Sequence, residues 1–131
     1  MPAHIFIVDD SPVNVKLIRV LLEAEGHIAS VAYNAKSALR QLETIVPDLI
    51  LMDLQMPEMD GLTLTRLLKV DVRLGKVPVV ALTAYAMTGD GERAQAAGCD
   101  AYFTKPIDTR TFVPSILALL ALRDSTEQVR E

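Results

Sequence analysis

The chain has no tryptophan, a single cysteine, two histidines and only 5% aromatic residues. With so few rings and half of the residues hydrophobic, its core must be aliphatic, made of Val, Ile, Leu and Ala. Cys99 alone can close no internal disulfide and build no thiolate metal site, so it reads as a small buried hydrophobe of a reducing compartment rather than a redox centre. His4 and His27 read as surface residues and not as ligands. There is no cluster of Lys and Arg, and 13 basic against 17 acidic side chains leave a net charge of −4. That balance excludes a sequence-independent electrostatic grip on nucleic acid. No apolar run approaches the roughly 20 residues needed to cross a bilayer, and no charged and apolar leader opens the chain. A cytoplasmic protein with no membrane partner is expected. Walker-type phosphate loops are missing as well.

What is present is a regular alternation. At 131 residues the chain has room for one domain with a genuine core. Ile5-Phe6-Ile7-Val8, Ile28 to Val31, Leu49 to Met52, Val79 to Leu82 and Ala101-Tyr102-Phe103 are short apolar runs, the signature of strands covered on both faces. Helical spacing fills the intervals. Ser11 with Pro12 opens the first helix, which Gly26 stops. Asn34 opens a second that carries Ala38, Leu39, Leu42 and Ile45 to Val46-Pro47, and a third follows Gly61. The fourth, entered through Thr88-Gly89-Asp90-Gly91, should be short and loosely held. In the fifth, a start at Thr111 puts Pro114 at the third helical position, where its missing N–H costs nothing. After Leu122 the polar residues 123–131 should fray as a tail beyond a domain of residues 1–122. Five strand-helix repeats joined by right-handed crossovers predict an α/β fold, a (βα)5 doubly wound parallel sheet.

Polar residues stand where four of the apolar runs end: Asp9-Asp10, Asp53, Thr83 and Lys105. In such a sheet that edge is where ligands and chemistry are placed. Three converging carboxylates repel one another unless a cation is present. Oxygen donors, few of them from protein, describe a Mg2+ site better than a Zn2+ or Ca2+ site, with Mn2+ able to substitute.

Together with Met56-Pro57-Glu58-Met59-Asp60-Gly61 and Lys105-Pro106, these residues resemble the receiver domain of two-component response regulators, and the resemblance covers nearly the whole chain. It implies a flavodoxin-like sheet of order 2-1-3-4-5. It also implies roles. Asp53 is the phosphoacceptor; Asp10, Asp53 and the backbone carbonyl of Gln55 hold the metal, and Asp9 acts through water. Lys105 and Thr83 bind the phosphoryl oxygens, with Lys105-Pro106 in cis. Thr83 and Tyr102 form the switch, although Tyr102 could be plain strand packing. Gln55 and Tyr85 tune the lifetime of the phosphate.

The implied function is a phosphoacceptor protein, not a conventional enzyme. It would take a phosphoryl group from a sensor histidine kinase or histidine phosphotransfer protein and signal by phosphorylation-dependent binding to a downstream protein. It would be a monomer or a weak phosphorylation-dependent dimer. A receiver cut from a larger regulator or hybrid kinase, and a non-phosphorylated interaction module, are the alternatives. A flavodoxin-like cofactor binder lacks its Ser/Thr/Gly-rich loop after the first strand, and a phosphate-ester hydrolase lacks a dedicated base. The first helix carries two apolar stripes, Val13-Leu17-Leu21-Ala24 and Val15-Ile18-Leu22. One packs on the sheet, and the sequence leaves open which.

Overall fold

The structure, a computed structural model, describes residues 2–56, 61–84 and 90–130, and their side chains except those of 90, 91 and 123–130. Five strands alternate with five helices: β1 (His4–Val8), α1 (Pro12–Ala24), β2 (Ile28–Ala32), α2 (Ala35–Gln41), β3 (Leu49–Asp53), α3 (Gly61–Lys69), β4 (Val79–Thr83), α4 (Asp90–Ala97), β5 (Ala101–Thr104) and α5 (Phe112–Arg130). All four strand pairings are parallel, and the sheet order is β2-β1-β3-β4-β5.

Successive side chains of a strand point to opposite faces, and the core divides accordingly. Phe6, Val8, Ile50, Met52, Val79 and Ala81 pack with Ala38 of α2, Leu64 and Leu68 of α3 and Ala94 of α4. Ile5, Ile7, Leu49, Leu51, Val80 and Leu82 pack with Val15, Ile18 and Leu22 of α1 and Phe112, Val113 and Ile116 of α5. Each large aliphatic or aromatic side chain removed from water in these layers contributes about 1.5–3 kcal/mol. The second stripe of α1 is therefore the core stripe. Of the first, Val13 and Leu17 face solvent and Leu21 is half-buried.

Helix boundaries follow local chemistry in α1. The Ser11 hydroxyl accepts the Asn14 N–H at 3.3 Å, and Gly26, at φ 83°, takes the left-handed position of a Schellman cap, with His27 N–H on Leu22 O at 3.0 Å. Helix α2 departs from expectation. It ends at Gln41, not at Ile45: the Glu43 and Thr44 N–H groups turn to the carbonyls three residues back, Arg40 and Gln41, at 3.3 and 3.2 Å, and beyond them the Arg73 guanidinium takes the carbonyls of Leu42 and Glu43 at 2.9 and 3.3 Å. Helix α4 is short, eight residues, and its entry at Thr88-Gly89 lies outside the described residues.

At the start of α5, Phe112 is the first helical residue, Thr111 O accepts Ser115 N–H at 3.0 Å, and Pro114 stands third. Its ring neighbour is Phe103 of β5, with centroids 5.6 Å apart. The helix then continues through Arg130, past Leu122 where the tail was expected to fray. Polar residues such as Arg123, Glu127, Gln128 and Arg130 are good helix formers, so polarity alone does not end a helix. The histidines are not simple surface residues either. His4 Nε2 lies 2.6 Å from Ser30 Oγ, and His27 Nδ1 accepts Ala3 N–H at 3.0 Å; both are half-buried. Among the described residues no helix is long and apolar enough to cross a membrane.

Candidate functional site

The site forms where β1 and β3 lie side by side but their crossovers leave for opposite faces of the sheet. Asp9 follows β1 directly, and Asp53 is the last residue of β3. Because β1 pairs with β3 in register Val8↔Met52, the two carboxylates reach the same edge. Asp9, Asp53 and Thr83 are almost wholly removed from solvent, while Asp10 is exposed. One carboxylate oxygen from each of Asp9, Asp10 and Asp53 lies within 4.8 Å of the others.

Lys105, carried in just after β5, aims its Nζ into this group, 3.1 Å from Asp53 Oδ1 and 3.5 Å from Asp9 Oδ2. Its peptide bond to Pro106 is cis. Asp53 Oδ1 also accepts the Gln55 N–H at 3.1 Å. Burial and the negative Asp9 nevertheless push the Asp53 carboxyl above its ordinary value of 3.8, against the pull of the Gln55 amide and of Lys105. Burial is the larger of the two causes.

Asp9 is held from two sides by α1. Ser11 N–H donates to its Oδ1 at 2.9 Å, and Asn14 Nδ2 donates to its Oδ2. Sequence reasoning assigned Ser11 only to capping and passed over Asn14. The available signal was a second amide-bearing polar residue in the first turn of a helix that begins beside an acid.

Thr83 ends β4, and the Gln55 side chain reaches across to it: Nε2 donates to Thr83 Oγ1 and Oε1 accepts Ala84 N–H, each at 3.2 Å. This role of the Gln55 side chain was also missed. Tyr102 stands on β5 opposite Ala81, with Thr104 opposite Thr83, and is 46% exposed. Tyr85 lies outside the described residues, as does 57–60 of the motif that precedes Gly61. Gly61 itself fits against β3 so closely that a Cβ would meet the Asp53 carbonyl oxygen at 2.4 Å.

The residues present suit a hard divalent cation: every acidic donor is an oxygen, and three converge at one edge of the sheet. Comparison with known proteins agrees. The family model of the response regulator receiver domain matches residues 5–117. The polar-differentiation response regulator DivK of Brucella anthropi is 45% identical over 120 residues, covering 92% of this chain and 98% of that protein. The receiver domain of a signal transduction histidine kinase from Syntrophus aciditrophicus superposes with a TM-score of 0.83 at 35% identity, covering 91% of this chain and 90% of that one. The receiver domain of a Pseudomonas aeruginosa sensor histidine kinase, solved with a magnesium ion coordinated in its active-site cleft, gives 0.84 at 30% identity, covering 92% and 99%.

Proposed function

The chain belongs to the response regulator receiver family, and from that premise we propose that Asp53 accepts a phosphoryl group from the phosphohistidine of a sensor histidine kinase or histidine phosphotransfer protein. The observation that supports this most is the placement of Asp53: buried, at a strand end, beside two further acids and 3.1 Å from a lysine. In the proposed step an Asp53 carboxylate oxygen forms the new O–P bond as the donor's P–N bond breaks, and the imidazole keeps the bonding electrons. Lys105 offers its ammonium to an equatorial phosphoryl oxygen, and Thr83 offers its hydroxyl to another.

Asp10, Asp53 and the Gln55 carbonyl would hold Mg2+ directly, with Asp9 acting through water. Bound there, Mg2+ or Mn2+ supplies positive charge against the equatorial oxygens. Asn14 and Ser11 keep Asp9 oriented for that task. Thr83 and Tyr102 form the switch in this reading, and the consequence is phosphorylation-dependent binding of a downstream protein, with self-dephosphorylation as the remaining chemistry. In the same reading Gln55 and Tyr85 set the lifetime of the acyl phosphate, as the family resemblance implies. Likeness to the polar-differentiation regulators supports a place in a developmental relay.

Incubation with a small phosphodonor and Mg2+, followed by mass spectrometry, tests the proposal. One phosphoryl group on the parent and none on Asp53→Asn is the expected result. Equal labelling of both proteins, or labelling of neither, would overturn it.

A further inference from the structure

The hydrogen bonds of Gln55 connect three parts of the site through one residue. Its backbone N–H donates to Asp53 Oδ1, and its side-chain amide bridges to Thr83 Oγ1 and to Ala84 N–H. The orientation of that amide is fixed by chemistry: the Ala84 N–H can only donate, so Gln55 Oε1 faces it and Nε2 faces Thr83. Thr83 Oγ1 is therefore an acceptor from the β3–α3 loop. The hydroxyl is buried.

We propose that Gln55 is a positioning residue that latches Thr83 in the resting state, so that its carboxamide weighs against the phosphorylated conformation. The proposal rests on the phosphoacceptor reading of Asp53. It differs from a part in hydrolysis, because the latch acts before any acyl phosphate exists. Only a contact that differs between two states can shift their equilibrium, and in the proposal Thr83 gives this one up when it turns to a group on Asp53. Removing a single neutral hydrogen bond should therefore favour the other state by about two- to tenfold.

The test is the binding of beryllium fluoride with Mg2+, which mimics an acyl phosphate on Asp53 and involves no hydrolysis. Gln55→Met keeps the length of the side chain and loses both amide contacts. It should bind the mimic about two- to tenfold more tightly than the parent. Without the mimic, its Phe103 and Thr104 amide resonances should move along the line that joins the free and bound parent spectra. A loss of local packing alone would not produce that direction. In a Thr83→Ala background, the effect of Gln55→Met should shrink to what the Ala84 contact contributes. Unchanged or weaker binding by Gln55→Met, or equal tightening without the Thr83 hydroxyl, overturns the latch. If the parent is phosphorylated on Asp53 while Gln55→Met behaves as the parent, only the latch falls. If the parent takes up neither phosphate nor mimic, the phosphoacceptor reading falls, and the latch with it.

Discussion

Two side chains show how burial, as the leading cause, sets chemistry at the residue scale. Asp53 is held above its ordinary value of 3.8 by desolvation first and by Asp9 second, against the pull of the Gln55 amide and Lys105. The native state thus keeps this proton more firmly than the unfolded chain does. Its stabilising effect is complete below 3.8 and is lost as pH rises through the raised native value. Asp53→Asn, neutral throughout, should be more stable than the parent at neutral pH without Mg2+. That advantage should shrink as pH falls toward 3.8, measured by denaturant unfolding at several pH values. A difference independent of pH would exclude ionisation as its cause. Cys99 is buried with its Sγ 3.8 Å from Thr65 Oγ1, and burial pushes its thiol up. A thiol-directed reagent at neutral pH should leave it unmodified in the folded protein and label it once the protein is unfolded; rapid labelling of the native form would contradict this.

At the scale of elements, the sequence announces what is local and conceals what is lateral. Buried parallel strands are unbroken apolar runs, so all five strands were legible, and Ser11, Pro12 and Gly26 bounded α1 by their own conformational preferences. The convergence of Asp9, Asp10, Asp53, Thr83 and Lys105 was legible because each stands at or beside a strand end. The end of α2 was not, since the segment just beyond it is held by Arg73, about thirty residues later in the chain. For the same reason the bridge from Gln55 to Thr83 and the grip of Asn14 on Asp9 escaped the sequence.

One contact between elements gives a sharp prediction. A methyl group on Gly61 cannot fit without moving either the start of α3 or the Asp53 peptide. Gly61→Ala should cost about 1–3 kcal/mol in denaturant unfolding. It should also slow labelling of Asp53 by a phosphodonor. Ser11→Ala should by contrast cost about 1 kcal/mol as a lost helix cap. Labelling should stay near the parent rate, because Asp9 is held by the backbone N–H of residue 11 and by Asn14. A Gly61→Ala protein as stable and as reactive as the parent would mean that this contact relaxes freely.

On the scale of the whole molecule, the acids at the sheet edge tie folding to the ionic medium. A cation that binds only the folded state adds about 1.4 kcal/mol when present at ten times its dissociation constant. Mg2+ should therefore raise the unfolding temperature of the parent, and raise that of Asp10→Asn less; equal shifts would remove Asp10 from the metal site. The sheet itself is unevenly protected. Strands β1, β3 and β4 each have a hydrogen-bonded neighbour on both sides, whereas among the described residues β5 pairs only with β4, and it exposes Tyr102. Amide protons of Leu49–Asp53 should then exchange with deuterium only when the whole chain opens, while those of Tyr102–Thr104 escape through smaller excursions. If so, Asp53 is anchored in an interior strand that opens only with the whole chain, while Tyr102 rides on an edge strand that can open by itself.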